Sequence, residues 1–334
     1  MRARAPASRT CPHHPPPPAP VLHPHVPAAF TTTSSQARSL IAFAVSEREA
    51  ADAYRHDRQN RRSPCRTCPA RRPVRGGERE SRHPRRDRAP RSSGVAPENT
   101  APAVKAAIKQ DADFVEIDVQ RTKDGRLVNF HDCTLERTTD VEERFPGRPS
   151  YRVSDFTWDE LRTLDAGSWF HETYAGERII TVREVITMVR GKTGLLAEIS
   201  PCGHYAATGL PAALEAELRS VRGYVEDAVA DGELGVQSFE VDDAKAFKTL
   251  APEIPVGVLD AERPTEAELV ALSEWADDVG PQYTVTDSAL VARVHELGMG
   301  INVWTVNEPG AMRTMAGLGV DGIITDYPQS LTGS

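Results

Sequence analysis

From about residue 92 onward, short apolar runs alternate with longer segments in which apolar residues recur every three or four positions. The runs predict buried strands, and the periodic segments predict amphipathic helices. The predicted strands are Phe114–Val119, Leu127–Phe130, Leu195–Ile199, Leu234–Phe239, Ile254–Leu259, Tyr283–Thr286, Ile301–Val306 and Gly322–Thr325. The predicted helices are Thr100–Gln110, Trp158–Leu164, Val182–Arg190, Pro211–Val221, Val241–Leu250, Glu266–Trp275, Ser288–Leu297 and Pro309–Leu318. This repetition predicts parallel strands with crossover helices.

Eight such strands in about 240 residues predict an α/β fold, a (β/α)8 TIM-type barrel. The link from Val119 to Leu127 is too short to hold a helix, so this unit must be irregular. A further strand before Gly94 would make nine strands, one too many for the barrel. The pattern does not tell which strand lies outside the ring.

The first predicted strand carries two carboxylates, Glu116 and Asp118, inside an apolar, β-branched run. Residues two apart on a strand point the same way. Two buried carboxylates side by side repel each other unless a cation lies between them. Oxygen ligands suit a hard divalent cation, so the pair predicts a site for Ca²⁺ or Mg²⁺.

Further polar and aromatic side chains follow the ends of predicted strands, where a barrel places its active site. Glu198 closes the apolar run 194–197, and we expect it to be a third metal ligand. His131 follows the second strand, close to the carboxylate pair, which indicates metal-assisted acid–base chemistry. Trp304 ends another strand, where packing and substrate contact are equally good interpretations.

Ten short motifs, in order, resemble the glycerophosphodiester phosphodiesterase family over about residues 92 to 330. They are Pro97-Glu98-Asn99-Thr100, Glu116-x-Asp118, Thr122-Lys123-Asp124-Gly125, His131-Asp132, Leu135-x-Arg137-Thr138-Thr139, Gly167-Ser168-Trp169-Phe170, Glu198-Ile199, Gln237-Ser238-Phe239, Trp304-Thr305-Val306-Asn307 and Gly319 to Pro328. The resemblance implies hydrolysis of a small-molecule glycerophosphodiester to glycerol 3-phosphate and an alcohol. It implies one divalent cation and a catalytic His131. Glu98 is expected either to support the site or to stabilise a helix start.

The chain departs from this family at two functional positions. The family's first strand ends in His-Arg-Gly, which supplies a second catalytic histidine and an arginine for the phosphate, but this chain has Ala89-Pro90-Arg91 there. The family's lysine after Glu-Ile is replaced by Ser200. The resemblance therefore implies that the activity of this chain is impaired.

Composition divides the chain near residue 91. Residues 1–91 hold 19 Arg, no Lys and 7 acidic residues, a charge of +12, so the net −8 of the whole chain leaves −20 for residues 92–334. The first part is also rich in Pro and His and has no apolar period, which predicts a disordered segment. Our interpretation is that it contains out-of-frame translation, because GC-rich DNA read out of frame yields Arg, Pro, Ala and His. A +1 reading of residues 86–92 can spell Val-Ile-Ala-His-Arg-Gly.

Several functions are not favoured by the composition. Arginine without lysine or interleaved aromatic residues argues against nucleic acid as a partner. No run of 18 apolar residues predicts a transmembrane segment, and the run 40–45 is too short and too far from the start for a signal peptide. We therefore expect a cytoplasmic protein by default, with export open if the true N-terminus differs. Cys133 and Cys202, the two cysteines of the body, do not make a disulfide framework. The oligomeric state is not indicated.

Two alternative functions stay open. A lipid phosphodiesterase of the lysophospholipase-D or sphingomyelinase-D kind would use the same barrel and should show an apolar cluster at the mouth, for which Trp169-Phe170 is a small candidate. A catalytically dead barrel that binds phosphodiesters would account for the missing His-Arg-Gly and the missing lysine.

Overall fold

The computed structural model describes residues 39–42, 95–200, 202 and 209–331, the first four of them as backbone only. The strands, in chain order, are β1 (Ser39–Ala42), β2 (Phe114–Arg121), β3 (Leu127–Asn129), β4 (Ile180–Thr181), β5 (Gly194–Ile199), β6 (Leu234–Ser238), β7 (Val256–Asp260), β8 (Asp278–Pro281), β9 (Gly300–Val303) and β10 (Gly322–Thr325).

Eight of these strands form a closed parallel ring, in the order β1, β2, β5, β6, β7, β8, β9 and β10. The ring closes because β1 pairs with β10 on one side and with β2 on the other, both in parallel. Crossover helices connect the strands. The predicted TIM-type barrel is confirmed by this topology.

The sequence indicated one strand more than the eight that a barrel holds, and this extra strand lies outside the ring. β3 pairs antiparallel with the carboxyl end of β2, and β4 pairs antiparallel with β3. A small second core packs beneath this extension, around Phe156 and Leu161. The turn between β2 and β3 is too short for a helix, so the chain must return antiparallel.

The helices are α1 (Ala101–Lys109), α2 (Val141–Arg144), α3 (Trp158–Leu161), α4 (Val182–Val189), α5 (Leu210–Ser220), α6 (Tyr224–Asp231), α7 (Val241–Leu250), α8 (Glu266–Leu272), α9 (Ser288–Glu296) and α10 (Pro309–Leu318). Sequence signals explain several of their starts. α4 and α8 begin with capping boxes, Thr181 with Glu184 and Thr265 with Glu268, in which each side chain binds the other residue's backbone N–H. No described helix is long and apolar enough to span a bilayer.

The ring strands are buried on both faces, as parallel strands under helices must be. On β2, Val115, Ile117 and Val119 belong to the core between ring and helices. The alternate residues face the barrel interior, where a separate apolar cluster contains Leu196, Leu259, Ala261, Trp304 and Ile324. Glu116 and Asp118 therefore point into the ring because of strand periodicity alone.

Two strands differ from the sequence pattern. The predicted strand Tyr283–Thr286 is wrong: the ring strand is β8, just before it, and Tyr283–Val285 form a 3-10 helix. The β-branched residues of the segment 283–286 have a high strand propensity, which led to the wrong prediction. Gly280 and Pro281 have a low strand propensity, so the true strand β8 was not predicted. β1 lies inside the segment predicted to be disordered, at an apolar run considered too short for a signal peptide. The rest of residues 1–91 lies outside the described residues.

Candidate active site

Three carboxylates from two adjacent ring strands converge at the carboxyl end of the barrel. Asp118 on β2 is the parallel register partner of Glu198 on β5, and Glu116 lies one pleat earlier on β2. One oxygen from each of the three lies within 4.8 Å of one from each of the others. All three side chains are buried, Glu198 being the most exposed at 9%.

This arrangement fits a hard divalent cation. Oδ2 of Asp118 is buried and accepts no hydrogen bond, although a buried carboxylate oxygen normally requires a donor or a cation. Burial raises the pKa of Asp118 to about 6. The charge of His131, and to a smaller extent that of Arg137, opposes this rise, while the charges of Glu98 and Asp132 add to it. Gln237 on β6 donates to Oε2 of Glu198 at 3.4 Å, which orients that carboxylate. The donor set consists of oxygen atoms, the kind that Ca²⁺ and Mg²⁺ prefer.

His131 lies just beyond β3, beside this cluster. Its Nδ1 lies 2.7 Å from Oδ1 of Asp132. Burial alone would lower the pKa of His131, but the charge of Asp118 and the hydrogen bond to Asp132 raise it to about 10. An imidazolium whose Nδ1 is held by a carboxylate keeps Nε2 for proton transfer, so this residue is able to act as a general acid.

Glu98 belongs to a second group of potential ligands, together with His131 and Asp132. The guanidinium of Arg137 lies between Glu98 and Asp132 and donates to both carboxylates. A metal ion at that point would meet the positive charge of Arg137, so the second group does not fit a cation. Glu98 instead forms an ion pair with Arg137.

Amide side chains hold the backbone on which these residues lie. Nε2 of Gln120, fully buried on β2, donates to the carbonyl oxygens of Phe130 and Asp132, both at 2.7 Å. Oδ1 of Asn129 accepts the backbone N–H of Asp118 at 3.0 Å. The antiparallel β2–β3 pair thus carries Glu116 and Asp118, and His131 follows just beyond the end of β3.

Trp304 directly follows the carboxyl end of β9 and belongs to the apolar cluster inside the barrel. Its side chain is buried, its Nε1 donates to the carbonyl of Gly280 at 2.6 Å, and its ring meets Phe239 edge to face at 5.1 Å. These contacts are packing contacts. Substrate contact by Trp304 stays a prediction.

Several residues of the site were not assigned from the sequence. Arg137 stands in the motif Leu135-x-Arg137-Thr138-Thr139, which was the only signal for it, and nothing marked Gln120 or Asn129. A disulfide joins Cys133 to Cys202, with Cα atoms 4.7 Å apart. The bridge ties the turn after His131 to the loop after Glu198, and two cysteines 69 residues apart in sequence carried no sign of it.

A closed β/α barrel with buried carboxylates and a histidine at the carboxyl ends of its strands defines the class of barrel hydrolases that use a divalent cation. Comparison with known proteins identifies the family within this class. The model of the glycerophosphoryl diester phosphodiesterase family matches residues 91–330. The chain therefore belongs to this family, whose members are phosphoric diester hydrolases.

Individual relatives agree with the family match. A glycerophosphodiester phosphodiesterase of Caldanaerobacter subterraneus is 36% identical over 236 residues, which cover 70% of this chain and 90% of the relative. One from Bacillus subtilis is 30% identical over 71% of this chain and 81% of its own length. The structure of an Oleispira antarctica phosphodiesterase in complex with the product sn-glycerol-3-phosphate superimposes with a TM-score of 0.62 at 29% identity, covering 71% of this chain and 90% of that one.

Proposed function

We propose that the chain hydrolyses glycerophosphodiesters to glycerol 3-phosphate and an alcohol. The observation that carries this proposal is the convergence of Glu116, Asp118 and Glu198 beside His131 at the carboxyl end of the barrel. The product named in the Oleispira antarctica complex supports glycerol 3-phosphate as one product here. A catalytically dead barrel and a lipid phosphodiesterase have no observation in their favour among the described residues.

Each residue of the site has a proposed task. Glu116, Asp118 and Glu198 would hold one divalent cation, Mg²⁺ or Ca²⁺, which when bound offsets the negative charge that builds up on the phosphate oxygens. His131 would protonate the oxygen of the leaving alcohol through Nε2, because Asp132 holds Nδ1. Burial of the carboxylates excludes water from the region where this charge develops.

We further propose that the chain turns over slowly. The family resemblance implies a second histidine and a phosphate-binding arginine in a His-Arg-Gly sequence, for which residues 89–91 offer Ala-Pro-Arg. The ring position before β2 is filled by β1, Ser39–Ala42, and the sequence that follows it is Phe-Ala-Val rather than His-Arg-Gly. Ser200 replaces the lysine, so less positive charge is available for the phosphate.

The test is release of glycerol 3-phosphate from glycerophosphocholine, measured with Mg²⁺ and separately with Ca²⁺. We expect slow turnover that EDTA abolishes and that His131→Gln abolishes as well. His295→Gln is the matched control, because His295 is a half-exposed histidine paired with Asp321 at the opposite end of the barrel. Metal-independent release, or full activity in His131→Gln, would contradict the proposal.

A further inference from the structure

Arg137 occupies a central place beside the candidate site that the proposed chemistry does not use. Its Nη1 and Nη2 donate to the two oxygens of Glu98, at 3.0 and 2.5 Å. Its Nε and Nη2 donate to the two oxygens of Asp132, at 2.5 and 2.8 Å. The guanidinium therefore binds two carboxylates in a bidentate manner, from segments 34 residues apart in sequence.

The surroundings of Arg137 restrict its movement. The ring of Trp169 lies 5.9 Å from the guanidinium carbon, measured to the ring centroid, in a cation–π contact. Glu98 is buried, so its carboxylate has a fixed position just before helix α1. Only a planar group with donors along two edges can bridge two carboxylates in this way, which a lysine ammonium cannot do.

The contact with Asp132 links Arg137 to the histidine. Oδ1 of Asp132 accepts from Arg137 and also lies 2.7 Å from Nδ1 of His131. With both carboxylate oxygens held by the guanidinium, Asp132 is not free to rotate, and the imidazole plane is defined by the Asp132 contact. The hydrogen bonds of Arg137 within the described part of the chain go to Glu98 and Asp132 and not to the imidazole, so any effect on His131 passes through Asp132.

We propose that Arg137 is a positioning residue for His131, acting through Asp132 and anchored by Glu98. The catalytic part of this proposal rests on the proposed function. The arrangement of Arg137, Asp132 and His131 can be tested without measuring turnover. The proposal assigns Glu98 the task of holding Arg137 rather than binding the metal ion. It also assigns Trp169 the task of covering the guanidinium.

The first experiment observes the proton on Nδ1 of His131. The full chain is labelled with ¹⁵N-histidine, and the signal is assigned by its absence in His131→Gln. We expect a hydrogen-bonded, slowly exchanging Nδ1 proton in the parent and its loss by fast exchange in Arg137→Ala. Added guanidinium ion should restore part of the signal. Arg137→Lys keeps the positive charge without the fork, so it should also lose the signal, and it serves as a second variant if Arg137→Ala does not fold.

Arg148→Ala is the matched control for this experiment. Arg148 also pairs with a carboxylate, Glu160, and also packs over aromatic rings, those of Phe145 and Phe156. It has no contact with Asp132 or His131 among the described residues. The His131 signal should be unchanged in this variant. A folded Arg137→Ala protein that keeps the signal unchanged, or a parent that lacks it, overturns the proposal.

The second experiment uses whichever form of the chain releases glycerol 3-phosphate. We expect Arg137→Ala to lower kcat by about 10²-fold, the usual effect of misplacing a reacting group by about 1 Å, with KM nearly unchanged. A raised KM with an unchanged kcat would mean that Arg137 binds the phosphate and would overturn the positioning role. If no form turns over, the proposed function fails, while the Nδ1 signal still decides whether Arg137 positions His131.

Discussion

Asp118 and Glu198 are direct register partners across the parallel pair β2–β5. Both side chains face the barrel interior, so two carboxylates stand side by side in a buried place. Without a cation, their mutual repulsion and the loss of hydration both destabilise the fold. The same pairing makes the site selective for a positive ion, because the cation relieves both effects at once.

We predict that Asp118→Asn removes metal binding without lowering the stability of the metal-free protein. The amide has nearly the shape of the carboxylate but carries no charge, so the metal-free variant should melt at the same temperature as the parent or higher. Mg²⁺ at 100 times its dissociation constant should stabilise the parent by about 2.7 kcal/mol and the variant hardly at all. The measurement is thermal unfolding with and without Mg²⁺.

Glu274→Gln is the control for this prediction, because Glu274 is exposed and follows α8. It should show the full stabilisation of the parent by Mg²⁺. Full stabilisation of Asp118→Asn by Mg²⁺ would show that the ion binds elsewhere.

The disulfide between Cys133 and Cys202 should contribute to global stability. It closes a loop of about 70 residues, and cross-links of this kind typically stabilise a fold by about 2 to 4 kcal/mol. We expect the double variant Cys133→Ser, Cys202→Ser to lose a free energy of unfolding in this range, measured by urea titration. Dithiothreitol should destabilise the parent by a similar amount and leave the double variant unchanged, and an effect on both would point to other cysteines.

The ring of Phe114 leaves no room for a side chain at Gly194 in β5. A Cβ added at Gly194 would lie 2.5 Å from Cδ1 of the Phe114 ring. Gly194→Ala should therefore cost about 1 to 3 kcal/mol of unfolding free energy, the usual cost of overpacking. Gly317→Ala is the control, because Gly317 lies in α10 with open space at its Cβ position, and it should be neutral or stabilising by up to about 1 kcal/mol. Equal stabilities of the two variants would contradict this packing argument.

The carboxyl group of Asp278, at the amino end of the barrel, should make the stability of the fold depend on pH. Burial raises its pKa to about 7, and the charges of Asp277 and Asp321 act in the same direction, while Lys248 opposes them. The folded protein then keeps a proton that the unfolded chain releases near 3.8, the ordinary pKa of an aspartate, so stability is greatest below that pH and falls as pH rises to about 7.

Asp278→Asn should remove this dependence. We expect the variant to be more stable than the parent by about 1 to 3 kcal/mol at pH 8, with the difference shrinking towards pH 4. Urea unfolding at several pH values measures it. A difference between variant and parent that does not change with pH would show that Asp278 is ionised in the fold with an ordinary pKa.

The sequence predicted what depends on local periodicity. The alternation along β2 was sufficient to place Glu116 and Asp118 on one face, and the barrel rule brought Glu198 to the same end. It could not predict the contacts made between distant segments. The bidentate contacts of Arg137 with Glu98 and Asp132, and the Cys133–Cys202 bridge, depend on where loops meet after the barrel closes. The wrong strand prediction at Tyr283–Thr286 has a different cause. The residues there have a higher strand propensity than the neighbouring residues that form β8.

The last prediction concerns the missing His-Arg-Gly sequence of the family. Replacing Arg86–Arg91 by Val-Ile-Ala-His-Arg-Gly restores the reading that a +1 frame can spell, in a part of the chain that lies outside the described residues. We expect the release of glycerol 3-phosphate to rise by about 10² to 10⁴-fold, because a second proton-transfer group typically contributes that much. The regained arginine for the phosphate should add to this gain. The assay uses glycerophosphocholine with Mg²⁺ or Ca²⁺.

A matched replacement, Val-Ile-Ala-Ala-Arg-Gly, separates the effect of the histidine from the effect of the other five replaced residues. This control should have the stability of the repaired chain and almost none of its turnover, and His131→Ala should remove the activity of the repaired chain. If the unrepaired chain is already as active as the repaired one, another residue supplies the second proton-transfer group and the frameshift interpretation is wrong. If neither chain turns over while both are stabilised by Mg²⁺, the barrel binds phosphodiesters without cleaving them, because the metal site is then intact and the chemistry is missing.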